Sequence, residues 1–250
     1  MEITTRIIKG GALLDDSFRF VSEWDLRRSI EDNLDDFRSR NVLGKRSRSR
    51  AEDTVAILRQ RFIQPGPEVI SALKELIVRP DAFRIACYYE AARNDDLLAH
   101  TAGVTLYSMR NRGWTRITVE AVERALLEAP PGPSIKEWGD STRRRVVHGL
   151  LSALRDFGIL EGSAIKHLVR PHLPLAGFGY VLGRLRSELA SSHEMVTNRA
   201  WRWWLLDDRA VRGLFLDADR EGLIRFSEAG TTVRIDWQTG GLEEMVRAIV

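Results

Sequence analysis

The sequence predicts a mainly helical protein whose short β-hairpins are confined to its second half. Three observations carry that expectation. Apolar residues recur at three- and four-residue spacing through most of the first 129 positions, the pattern of amphipathic helices. Breaks containing proline or glycine divide these runs into separate elements. Two stretches, ILEG at 159–162 and LIRFSEAGTTVRIDW at 223–237, follow helical patterns and read as strands.

Taken in order, Lys9, Gly10 and Gly11 enter a first helix with Leu14, Phe18 and Val21 inward and Trp24 closing it. Ser29 and Asp32 have capping-box spacing for a second helix bearing Leu34 and Phe37. Ser49 and Glu52 repeat that spacing before a third, whose stripe is Val55, Leu58 and Phe62. Pro65 to Pro67 ends it and opens a helix with Val69, Leu73 and Leu76. After the break at 79–81 come Phe83, Ala86 and Tyr89 or Glu90, then a segment over 95–109. A turn near Gly113 precedes a helix with Val122, Leu126 and Ala129 inward.

PPGP at 130–133 marks the expected boundary between a helical domain at 1–129 and a second domain at 134–250. In the second, Ser141 or Thr142 caps a helix with Val146 or Val147, Leu150 and Leu154 inward, and Gly158 terminates it. The hairpin that follows makes this unit winged-helix-like, a design used to grip a duplex. Phe178, Val181 or Leu182, Leu185 and Leu189 mark a further helix. Val211, Leu214 and Ala218 mark another before a hairpin turning at 228–230. Leu242, Met245 and Ile249 form a closing helix that docks on the core. Three of the seven tryptophans stand in WRWW at 201–204, favouring core or a partner interface over stacking on bases.

Composition bounds the function. The 250 residues are 44% apolar and 29% charged, which suits a globular protein with a substantial core. No run approaches the roughly 20 apolar residues that cross a bilayer, and MEITTRIIKGG has no apolar signal core. The expectation is a cytoplasmic protein without membrane association. A net charge of +3 identifies no partner by itself. The distribution is more informative: RSRNVLGKRSRSR holds Arg38, Arg40, Lys45, Arg46, Arg48 and Arg50 with no acid. Four of these crowd a helix start, where the dipole disfavours cations and an anion relieves the conflict. Glu31, Asp32, Asp35 and Asp36 offer the competing account, a self-paired solvent face. Arg143, Arg144 and Arg145 are expected in the first turn of their helix, with the same need.

Catalytic and metal chemistry has no visible motif. Cys87 is the sole cysteine, and the five histidines (His100, His148, His167, His172, His193) take neither HxH nor HExxH spacing. IIKGGALL lacks the GxxxxGK[ST] spacing, and no GxSxG is present. The adjacent acids Asp15–Asp16, Asp35–Asp36 and Asp207–Asp208 diverge on a helix and read as helix starts or solvent faces. No catalytic residue, metal ligand or cofactor site is expected.

TRIIKGGALLDDSFRFVSEWD, NVLGKRSRSRAEDTVAILRQRF and WGDSTRRRVVHGLLSALRDFGILEG resemble the BrxA family of bacterial BREX phage-defence systems. The matched positions are Lys9 to Gly11, Leu43 to Arg50, and Ser141, Thr142 and Arg145. The resemblance implies a non-enzymatic helical protein, NusB-like in its amino-terminal part and associated with DNA. It would act beside a methyltransferase, a phosphatase-like protein and an AAA+ ATPase of the same system. The expected function is therefore binding of double-stranded DNA through the nine basic residues at 38–50 and 143–145, inferred from charge and helix geometry. An adaptor for acidic protein partners, with WRWW as an apolar anchor, and an RNA-binding protein are the alternatives.

Overall fold

Helix boundaries fall where capping residues and prolines interrupt the amphipathic runs. The computed structural model describes residues 3–128, 130–169, 172–189, 191–230 and 232–250; Ala129, expected inward, lies outside them. The amino-terminal helices are α1 (Ile7–Gly10), α2 (Leu14–Glu23), α3 (Ile30–Ser39), α4 (Arg48–Phe62), α5 (Pro67–Leu76) and α6 (Pro80–Arg93). Ser29 caps α3 by accepting the Asp32 N–H at 3.0 Å. Pro67 and Pro80 sit in the first turns of α5 and α6, where a missing N–H breaks no helical bond. Phe20, Phe37, Leu58, Phe62, Leu73 and Leu76 are buried together.

Two details differ from the sequence pattern. Phe18 is 47% exposed, because α2 turns Ser17, Phe20 and Val21 inward and leaves Phe18 an edge contact with Phe83. The cap of α4 is Ser47, not Ser49: its hydroxyl accepts the Arg50 N–H at 3.2 Å.

The middle of the chain contains α7 (Asp96–His100), a π-helical turn (Thr101–Leu106) and α8 (Tyr107–Asn111). Then follow β1 (Arg116–Ile117), α9 (Val119–Glu128), α10 (Gly132–Lys136), α11 (Asp140–Asp156), β2 (Leu160–Glu161) and β3 (Lys166–Leu168). Strand β1 lacks a clear sequence signal because it is two residues long and its partner is distant. The sheet is antiparallel in the order β1-β3-β2, with Ile117 opposite Lys166 and Glu161 opposite His167. A strand from residues 1–129 therefore completes a sheet with the hairpin from 134–250, and α9 packs on α11 across the same Pro-rich stretch.

Helix α11 starts at Asp140 under Gly139 with no side-chain cap, so neither Ser141 nor Thr142 is the cap. Arg144 and Arg145 consequently lie in the second turn, beyond the strongest part of the dipole. Val146, Val147, Leu150 and Leu154 are buried as their spacing predicts, and Gly158 ends the helix at φ +84°.

The last third comprises α12 (Leu175–Arg186), α13 (Ser192–Val196), a 3₁₀ turn (Arg199–Trp204), α14 (Asp208–Arg220), β4 (Ile224–Ala229), β5 (Thr232–Trp237) and α15 (Leu242–Arg247). The 3₁₀ turn holds the tryptophans. Trp201 and Trp204 are buried, and the Trp201 indole donates to the Met195 carbonyl at 2.7 Å, so WRWW is core and not an exposed anchor. Helix α15 docks on α5 and α12, α12 packs on α6, and α1 bridges α11 and α4. One buried apolar cluster runs through all of these elements.

Candidate nucleic-acid interface

The 38–50 segment is the connection from α3 into α4, and its backbone is well tied. Asn41 adopts the left-handed region at φ +46°; its side-chain amide clasps the Lys45 N–H and C=O, both at 3.0 Å. Gly44 completes the turn at φ +61°. The six cations do not form a free cluster. Arg38 pairs with Asp35 at 2.8 Å, and Arg40 pairs with Asp36 and, at 3.6 Å, with Glu23. The guanidinium of Arg40 holds the Asp36 carboxyl below its ordinary pKa. Lys45 reaches back to Asp16 at 2.6 Å, where both side chains are largely covered. Arg48 pairs with Glu52 at 2.8 Å.

Arg46 and Arg50 alone of the six have no carboxylate at ion-pair distance among the described residues. A groove of about 570 Å³ opens between α3 and α4, with Phe37, Leu43 and Val55 beneath Arg38, Arg46 and Arg48. The exposed pairs are screened by solvent, so they orient these side chains more than they retain them. Lys9, singled out in the amino-terminal motif, pairs with Asp53 on α4 at 2.9 Å. Gly10 and Gly11 lie where Arg61 ties α1 to α4, donating to the Gly11 and Ala12 carbonyls at 2.9 and 3.2 Å.

On α11 the three consecutive arginines separate. Arg143 turns inward: it meets Glu123 at 3.3 Å, Asp140 and the Trp138 carbonyl, which uses its guanidinium as a brace between α9 and α11. Arg144 and Arg145 are exposed. Arg144 and His148, one turn apart, both lower the pKa of the Glu120 carboxyl, behind the larger effect of hydrogen bonds from the Glu120 N–H and the Thr118 hydroxyl. Arg145 has no acidic partner among the described residues.

In the sheet whose β2 strand packs on this helix, the opposite edge strand β1 presents exposed Arg116 opposite His167 of β3. Sequence reasoning missed Arg116 and His148. The run TRITV at 115–119 carries a faint strand alternation, but its pairing is non-local. His148 is legible only as the residue one turn beyond Arg144.

Among the described residues no group of three or more His, Cys, Asp or Glu side chains is arranged to hold a metal ion. Burial raises the Cys87 thiol pKa far above its ordinary value, which makes it a packing residue. No described helix is long and apolar enough to cross a membrane. Residues 1–181 match the family model for BrxA. No curated protein matches the chain.

Proposed function

Because the chain belongs to the BrxA family, whose members serve the BREX anti-phage system as non-enzymatic accessory proteins, we propose that it binds double-stranded DNA for that system. The observation that carries this reading is the order α8, β1, α9, α10, α11, β2–β3 with sheet order β1-β3-β2. This order supports a winged-helix-like reading in which α9 and α11, joined through the short α10, act as the helix-turn-helix pair. In such units the second helix enters the major groove, which admits an α-helix, and the hairpin flanks it. Arg144, Arg145 and His148 line the exposed side of α11. The 38–50 segment adds backbone contacts: Arg46 and Arg50 are ready, while Arg38, Arg40, Lys45 and Arg48 exchange carboxylates for phosphates. Arg143 is a brace and does not touch the duplex.

Helices α1–α6 then act as the NusB-like body that carries this second set of contacts. Phosphate contacts position without encoding sequence, so binding is of low specificity. The cytoplasm, where host DNA lies, is the site of action. The methyltransferase, phosphatase-like protein and AAA+ ATPase of the system are the partners it would serve.

A salt-titrated binding assay tests the reading, with duplex DNA and matched RNA, the native chain, an Arg144→Gln/Arg145→Gln variant, and a variant with Lys45, Arg46, Arg48 and Arg50 changed to Gln. Each phosphate that is no longer neutralised should lower the salt slope by about 0.9. The α11 variant is expected to lower it by about twice that amount, and the second variant by about four times it. No duplex binding at low salt, or binding unchanged in both variants, overturns the proposal. A strong preference for RNA selects the RNA reading instead.

A further inference from the structure

The tip of the β2–β3 hairpin is unusual for a surface that meets a polyanion. Residues 162–165, Gly-Ser-Ala-Ile, are all exposed and carry no charge, and Ile165 has 41% of its surface open. A single exposed aliphatic side chain normally needs no explanation. Ile165 differs in how it is held. Gly162 sits at φ +91°, and a Cβ there would run into the Ile165 carbonyl, so the turn closes tightly over itself. The Lys166 amine folds back onto the Ser163 carbonyl, and its own backbone is paired with Ile117 of β1. Glu161 and His167 pair across the base of the same hairpin. The side chain is therefore presented by a braced turn. The same hairpin packs on α11, and the Lys166 amine feels the charges of Arg155 and Asp156 at the end of that helix.

We infer that Ile165 is a minor-groove wedge, which inserts beside a base step, partly unstacks it and bends the duplex. The inference rests on the DNA-binding reading above and adds the groove and the deformation. A hairpin tip that reads the minor groove electrostatically needs Arg or Lys, and this one has neither. What it offers is a small apolar edge, flanked by Ala164, of the kind that enters between bases. Attraction to the backbone comes from Arg116 on the paired strand β1, with Arg144 and Arg145 contributing from further along α11. Because unstacking is easiest at TA and CA/TG steps, the wedge confers a preference for flexible steps with no hydrogen bond to a base edge.

The experiment uses the full chain and a duplex carrying end-labelled fluorophores and 2-aminopurine at a central TA step. The native chain, Ile165→Ser and Ile165→Leu are compared, each checked by thermal melting. The native chain and Ile165→Leu should raise energy transfer between the ends and brighten 2-aminopurine. Ile165→Ser should lose both signals and about tenfold in affinity, equivalent to about 1.4 kcal/mol, while keeping the native salt slope. Native-like bending by Ile165→Ser, or a native complex that binds without bending or unstacking, overturns the wedge and leaves DNA binding standing. Absence of any binding by the native chain overturns both.

Discussion

Glu90 has no exposed surface, yet it is charged chemistry in the middle of the core. Its Oε1 accepts from Arg184 at 2.7 Å and from the Tyr180 hydroxyl at 2.8 Å, while Oε2 has no partner. Burial raises the Glu90 carboxyl pKa despite the guanidinium beside it. Such a pair joins α6 to α12 at a desolvation cost, so breaking it is worse than never having it. Arg184→Leu should destabilise by about 3–5 kcal/mol in urea unfolding. Glu90→Leu with Arg184→Leu and Tyr180→Phe, which strands no polar group, should recover most of that loss. Equal damage in both variants would show that packing, not charge, matters there. Asp25 behaves oppositely at the surface. Hydrogen bonds from the Arg27 side chain and N–H hold its carboxyl at about 2. A depressed folded pKa means its contribution is present above the ordinary value of 3.8 and is lost as pH falls through about 2. Carboxyl NMR should find that midpoint near 2, and Arg27→Ala should move it up towards 3.8.

Helix ends are where the chain resists reading and where it can be tested. RSRSR offers two serines two positions apart, and Glu52 three residues after Ser49 imitates a capping box. Glu52 instead pairs with Arg48 one turn back, and Ser47 takes the cap. Ser47→Ala should therefore cost about 1 kcal/mol, and Ser49→Ala less than about 0.5; the reverse order in thermal or urea melts would restore Ser49. Helix interiors were legible because Val55, Leu58 and Phe62 repeat an inward face that a shift of two residues at the end leaves unchanged. Ser29 was legible because no second hydroxyl competes for its place. Strand β1 was not, since two residues paired 49 and 51 positions away leave almost no local trace. The basic residues were visible in sequence, but their separation into braces and free cations was not. That division depends on Asp16 and Glu123, which folding brings to Lys45 and Arg143.

At the scale of the whole molecule, elements from both ends of the chain interleave. Helix α1 lies against α11, β1 pairs with β3, α6 packs on α12, and α5 receives α15. Tyr88 stacks on Phe157 at 4.8 Å between centroids, and Tyr89 meets Tyr180 edge-on at 6.4 Å. A fragment ending at residue 133 would strip these partners from Tyr88, Tyr89, Ile7, Ile117 and Val122, all buried in the intact chain. Each large apolar side chain returned to water forfeits roughly 1.5–3 kcal/mol. Five of them match the whole stability of an ordinary domain, about 5–15 kcal/mol. The fragment 1–133 should consequently show no cooperative melt and poor amide dispersion, whereas the full chain should unfold in one transition by circular dichroism and tryptophan fluorescence. A sharply melting, well-dispersed fragment would mean that the amino-terminal helices carry a self-sufficient core. The 38–50 cations could then move independently of α11, and the two sets of proposed phosphate contacts would lose their fixed spacing.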